Sequence, residues 1–315
     1  MPGVLTIAKK EFVDHVSDRT FLLCFGILLV IMVGGAFYQV WWIQNGGIST
    51  ELVAWKYFPW MLQAELTGQL SFLGALVAIA LSFNSINKER TEGSLKVLLS
   101  YPIYRDKIIL GKLVGGFLVA SLVTVASLTI SFSIVLFHMS IPLTMDLFLR
   151  ITTVITMGTV LLVFFLCLGT AISTVVRDTS ACLMILLLVT SLMRSDTLTM
   201  VLVIVSSLFP HSVDIPGGLN WLQYVASWGS WRYTGGSLDV LRNYLWASPV
   251  EAYRNFSEAV FNLGSVQGHR GGQIFIPISF QEQLIRNLDL VAVLILFTVA
   301  TFIASYILFT RRDIA

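Results

Sequence analysis

The chain has 315 residues, of which 56% are hydrophobic and 12% charged, with a mean hydropathy of +0.82; soluble domains carry about 25% charged residues. It is therefore a polytopic membrane protein. The net charge of +2 is too small to imply a nucleic-acid partner. Cys24, Cys167 and Cys182 all fall inside apolar runs, so they form neither a disulfide framework nor a CxxC metal site and serve as small core residues.

Residues 1–19 come first. Leu5, Phe12, Val13 and Val16 repeat at i, i+7, i+8 and i+11, with Lys9, Lys10, Asp14 and Asp18 largely off that face. This predicts an amphipathic helix lying on the membrane surface and bending into the first span. The first apolar run, from near Thr20 to about Ile43, is too long for the h-region of a signal peptide and is expected to span.

Windows of about twenty apolar residues, enough for a hydrocarbon core of about 30 Å, predict six transmembrane helices near 20–43, 66–86, 108–137, 147–176, 180–209 and 288–310. With the N-terminus in the cytoplasm, the inner segments hold Lys9, Lys10, Arg19, Lys88, Arg90, Lys96, Arg105, Lys107, Lys112, Arg177, Arg311 and Arg312. The two short outer loops offer only Lys56 and, at a span edge, Arg150. Both termini are thus expected inside. The predicted fold is all-α: spans one to five within 20–209, an external region at 210–287, and the sixth span with its tail at 288–315.

Arg194 and Asp196 interrupt the fifth span. A re-entrant hairpin there would carry Arg311 and Arg312 outside, against the charge rule, unless the outer loop held another crossing, so one long tilted helix is expected. At about 1.5 Å per residue its thirty residues would reach about 45 Å. Ionisable groups at such depth usually face a partner or a water-filled cavity, and residues two apart point to nearly opposite sides. The alternative is a kink near Ser195 with both side chains snorkelling outward.

The region 210–287 is rich in glycine pairs and in tryptophan and tyrosine, including Trp221, Tyr224, Trp228, Trp231 and Trp246. Short interfacial or shallow re-entrant helices are expected, one opened by Pro249 and running through about Asn262. Either a folded outer domain or a membrane-hugging connector fits. Asn255-Phe-Ser257 is a sequon.

Searches for chemistry find no GxxxxGK[ST], HExxH or GxSxG. His15, His138, His211 and His269 are scattered, so neither a metal cluster nor a catalytic or cofactor-binding residue is predicted. Gly111-x-x-x-Gly115 would let another helix approach closely, though such pairs are common by chance.

The stretch "NKERTEGSLKVLLSYPIYRDK", residues 87–107, is charged and helix-prone between two apolar spans. Gly93 breaks the chain and Ser94 is a plausible N-cap. Leu95, Val97, Leu98 and Leu99 then form a short helix that Pro102 stops by Tyr101. Beyond it, Tyr104, Arg105, Asp106 and Lys107 lead into the third span. A surface helix-turn-helix joined to spans two and three is suited to being pushed.

Here the sequence resembles a family. "ERTEGSLKVLLSYPIYRDKIILGK" is similar to the loop between spans two and three of ABC-2 type transporter permease subunits. Glu89, Gly93, Ser94, Leu95, Leu98, Leu99, Ser100, Pro102, Arg105, Ile108, Gly111 and Lys112 match the recurring pattern. "AKKEFVDHVSDRTFLL" resembles the family's interfacial helix and "FTRRDIA" its tail, while "SPVEAYRNF" is similar to a segment of the NosY and NatB type branch. The resemblance implies a transport subunit, an exporter, in the cell membrane. It would have no ATPase site of its own, ATP and Mg being bound by a separate subunit. Two permeases, a homodimer in preference to a heterodimer, would pair with two ATPases. The loop would dock as a coupling helix: Leu98, Leu99 and Pro102 for docking and shape, Glu89 and Arg105 for polar contacts, with Gly93 and Leu95 in the same element. Arg194 and Asp196 would line the path or the dimer seam. An intramembrane enzyme would need a polar constellation at one depth, which the spans lack. A non-transporting membrane anchor or assembly factor recruiting a cytoplasmic partner is the alternative.

Overall fold

The structure, a computed structural model, describes residues 2–45, 66–83, 105–176, 178–194, 248–261, 264–267, 273–276 and 279–311. Glu89, Gly93, Leu95, Leu98, Leu99, Pro102 and Asp196 lie outside the described residues, as do 195–209 of the fifth apolar run.

Helix α1, Pro2–Ser17, turns at Asp18 into α2, Arg19–Asn45. The Asp18 carboxylate accepts from the Thr20 amide at 3.3 Å and caps the second helix. Helix α3, Leu70–Ser82, opens with a π-helical turn over Leu70–Gly74. Helix α4, Arg105–His138, has 34 residues, and at about 1.5 Å each it is some 51 Å long, well beyond a hydrocarbon core of about 30 Å. A tight turn, with Ser140 at φ 53°, leads to α5, Met145–Val175, capped by the Thr144 hydroxyl. Asp178 caps α6, Thr179–Leu192. After α7, Pro249–Phe261, come β1, Gly264–Gln267, and β2, Gln273–Ile276, then α8, Phe280–Arg286, and α9, Leu288–Arg311.

Among the described residues, four helices are long and apolar enough to span: α2, α4 from Asp106, α5 and α9. Each coincides with an expected span to within three residues at either end. The six-span expectation is met only in part, since α3 and α6 are shorter apolar helices among the described residues. The fifth run differs most from expectation. Instead of one thirty-residue helix, α6 stops at Leu192 after 14 residues, about 21 Å. The all-α class holds; beside the helices, β1 and β2 form one short antiparallel hairpin pairing Gly264 with Ile276 and Gln267 with Gln273.

Helices α4 and α5 are central, while α2 and α9 expose apolar faces through Leu23, Val30, Trp41, Leu296 and Val299. Such faces are stable where lipid replaces water. The main core gathers Leu28, Met32, Leu70, Val123, Phe132, Phe164 and Phe165 with Tyr253 and Phe256 of α7. Thus α7 begins at the expected proline but is packed into the bundle rather than laid on a surface. Ser257 of the sequon is buried in that helix.

Candidate functional site

One end of the bundle, here called the base, carries α1, the start of α4 and the end of α9. There α1 lies along α4 over the two glycines spaced four apart. A Cβ on Gly111 would sit 2.5 Å from Ile7 Cγ2 and 3.3 Å from the Val4 carbonyl oxygen. One on Gly115 would sit 2.8 Å from Glu11 Cβ and 3.0 Å from the Ala8 carbonyl oxygen. Only glycine permits this approach of two backbones.

Between these glycines stands Lys112. Its Nζ donates to Glu11 Oε1 at 2.9 Å, and the two side chains are 5% and 9% exposed. His15 Nε2 lies 4.0 Å from the other Glu11 oxygen. Burial lowers the His15 pKa, outweighing the pull of Glu11, so the ring is held toward its neutral form. The inner face of α1 therefore runs through Ile7, Ala8, Glu11 and His15. Of the apolar face expected to lie on the membrane, Phe12 and Val16 pack on the core and Leu5 and Val13 are exposed. Hydrophobic periodicity alone could not show that a charged residue faces inward, because its partner lies 101 positions away.

The base of α4 is gripped from the other side too. Ile108, Ile109 and Leu113 cluster with Leu166 and Cys167 of α5 and Phe309 of α9. Ile7 of α1 and Tyr306 of α9 pack against this cluster. Thr170 and Ser305 share a hydrogen bond of 2.9 Å between α5 and α9. Arg105, expected in the loop element, is the first residue of α4. The last three residues of the 87–107 stretch are thus a turn of the long helix itself, because nothing after Pro102 breaks helical geometry.

A second polar locus lies at the end of α6. The Arg194 guanidinium sits over the Phe72 ring, 4.9 Å from its centroid, where the π-helical turn of α3 presents it. Beside it the Ser248 hydroxyl donates to the Met193 carbonyl at 2.8 Å and accepts from the Glu251 amide at 3.1 Å. The N-cap of α7 therefore meets the carbonyl end of α6, a head-to-tail arrangement of helix dipoles. Within α7, Arg254 pairs with the buried Glu251 at 3.1 Å. The Tyr253 hydroxyl approaches Gly158, thirteen residues past Met145 and so about 20 Å along α5.

At the end opposite the base, Arg150 is buried. Its Nε donates to Asp146 at 2.6 Å, and one terminal nitrogen donates to the Val260 carbonyl and to Gln283 Oε1. The other Asp146 oxygen accepts from the Phe280 amide at 3.3 Å. Arg150 joins α5, α7 and α8. Its one sequence signal is an arginine at a span edge.

A bundle of long apolar helices with its charges paired at the base and at the opposite end defines a multi-pass membrane protein. The family described as ABC-2 family transporter protein matches residues 5–314, and the chain belongs to that family. Over 124 residues it is 33% identical to the probable ABC transporter permease protein NosY of Pseudomonas aeruginosa, covering 39% of this chain and 42% of that one. Over 122 residues it is 32% identical to the protein of the same description from Stutzerimonas stutzeri, covering 39% and 41%. The aligned stretch spans about two fifths of each relative's length.

Proposed function

We propose that the chain is the permease subunit of an ATP-driven ABC-2 transporter, an exporter of the plasma membrane. Both termini are cytoplasmic, and the base faces the cytoplasm. Six membrane crossings make up each permease, with the fifth divided: α6 rises from the base to Met193 and α7 continues from Ser248 to the level of Arg150. Two permeases, as a homodimer, work with two copies of a separate ATP-binding subunit that holds ATP and Mg.

The observation that carries this reading is the family match along nearly the whole chain, residues 5–314. The base supports the mechanism. ATP binding closes the partner ATPases and pushes the 87–107 element, where Leu98, Leu99 and Pro102 dock, Glu89 and Arg105 make polar contacts, and Gly93 and Leu95 shape the helix. Because 105–107 are already part of α4, the push enters a rigid rod of about 51 Å. Rocking of that rod against its neighbours switches the dimer between inward- and outward-open forms. Arg194 and Asp196, beside the interrupted fifth crossing, belong to the path or the dimer seam.

The test is co-purification from membranes of the cells that make this chain. An ATPase is expected to accompany the wild type, and Leu98→Asp with Leu99→Asp is expected to release it. Retention of the ATPase by that double variant would refute docking through this element.

A further inference from the structure

The α1–α4 seam combines two features that act differently. Gly111 and Gly115 bring the backbones together, but a glycine track has no side chain to resist sliding of one helix along the other. Glu11 and Lys112 stand in the middle of that track at 2.9 Å, almost fully buried. A buried ion pair is seldom retained for stability, since apolar residues of similar size hold a seam as well or better. What it adds is register: a shift of α1 by one turn, about 5.4 Å, would break the 2.9 Å contact between the two charges. The remaining charged groups of α1 do not replace the pair. Lys10 and Asp14 form an exposed pair at 3.8 Å, and His15 is held toward its neutral form. On the other side, Tyr306 and Phe309 of α9 pack against this part of α4.

We propose that Glu11 and Lys112 are positioning residues of the transport cycle. Their ion pair locks α1 in register on the base of α4, so that a push entering α4 from the 87–107 element moves both helices as one lever. This rests on the permease reading. Neither residue needs to touch ATP, the ATPase or cargo; each acts by keeping the interfacial helix from slipping when force is applied.

The experiment compares wild type, Glu11→Gln, Lys112→Met and the exchanged pair Glu11→Lys with Lys112→Glu. Each is purified in nanodiscs together with the ATPase that accompanies it. ATPase turnover is measured alongside the distance distribution between spin labels at the exposed positions Val13 and Leu122, in a background lacking Cys24, Cys167 and Cys182. The single variants are expected to retain the ATPase in wild-type ratio, to lose turnover at least tenfold, and to broaden the label distribution. The exchanged pair is expected to return both to within about threefold of wild type, a rescue that a merely volume-filling role would not give. Unchanged turnover in both single variants overturns the proposal, and so does a label distribution as narrow as wild type. If no ATPase accompanies the wild type, the permease reading fails, while the label distribution still decides whether the pair sets the register.

Discussion

The hydroxyl of Ser248 donates to the carbonyl of Met193, 55 positions earlier in the chain. This joins the end of α6 to the start of α7, so two helices of 14 and 13 residues, each too short to cross a bilayer, meet inside the bundle. At about 1.5 Å per residue they supply about 40 Å between them. Ser248→Ala removes the cap of α7 and strips Met193 of its donor. A loss of about 1–2 kcal/mol is expected, read from the denaturant midpoint in detergent, and Ser248→Thr should recover most of it.

Glycines at the seam and elsewhere should respond oppositely to the same change. A methyl group at Gly115 meets Glu11 Cβ at 2.8 Å and the Ala8 carbonyl at 3.0 Å, so Gly115→Ala must push α1 away. The expected loss is about 1–3 kcal/mol. Gly26 has nothing within 4 Å of its Cβ position, and Gly26→Ala should be neutral or stabilising by up to about 1 kcal/mol. Thermal unfolding of the two variants side by side checks the contrast.

Tyr253 offers the reverse of the usual tyrosine result. Its ring is fully buried in the core, and its hydroxyl has no hydrogen-bond partner among the described residues. An unpaired buried hydroxyl costs about 1–3 kcal/mol, so Tyr253→Phe should stabilise the fold by about 1 kcal/mol. Tyr253→Ala, which leaves a cavity, should cost about 3–5 kcal/mol. If the phenylalanine variant unfolds more easily than wild type, the hydroxyl has a partner in the working protein.

His15 should make the docking of α1 depend on pH. Burial holds its folded pKa below the ordinary 6.5, with Lys112 adding to the effect and Glu11, Asp14 and Asp18 opposing it. Above 6.5 the ring is neutral in both states and the full stability is present. As pH falls below that value the unfolded chain takes up the proton first, and stability declines until the folded pKa is reached. Unfolding midpoints followed from about pH 8 to pH 5 should fall in wild type. The His15→Gln variant should show a shallower slope over the same range.

The apolar runs were legible because lipid imposes a length and a composition on anything that crosses it. Four of the six coincide with full-length helices, and Pro249 opens a helix where its fixed φ predicts one. Membership of the transporter family was legible too, carried by the spacing of Glu89, Gly93, Leu98, Pro102, Gly111 and Lys112. The inward face of α1 was not. Leu5 and Val13 satisfy the helical period as well as Ile7 and Ala8 do, and periodicity has no means of admitting Glu11 to a buried face.

By itself, then, the amino-acid order determined the membrane class, the positions of the apolar segments, the family and the charged element expected to couple it to a partner. All of these follow from local hydropathy or from motif spacing. Only the tertiary structure decided that the end of α6 meets the start of α7 through Met193 and Ser248, that Arg150 fastens α7 and α8 to α5, and that Glu11 and Lys112 neutralise one another across the glycine seam. Each of these rests on a polar group whose cost of burial is met by a partner far away in sequence, and such pairings exist only once the helices have packed.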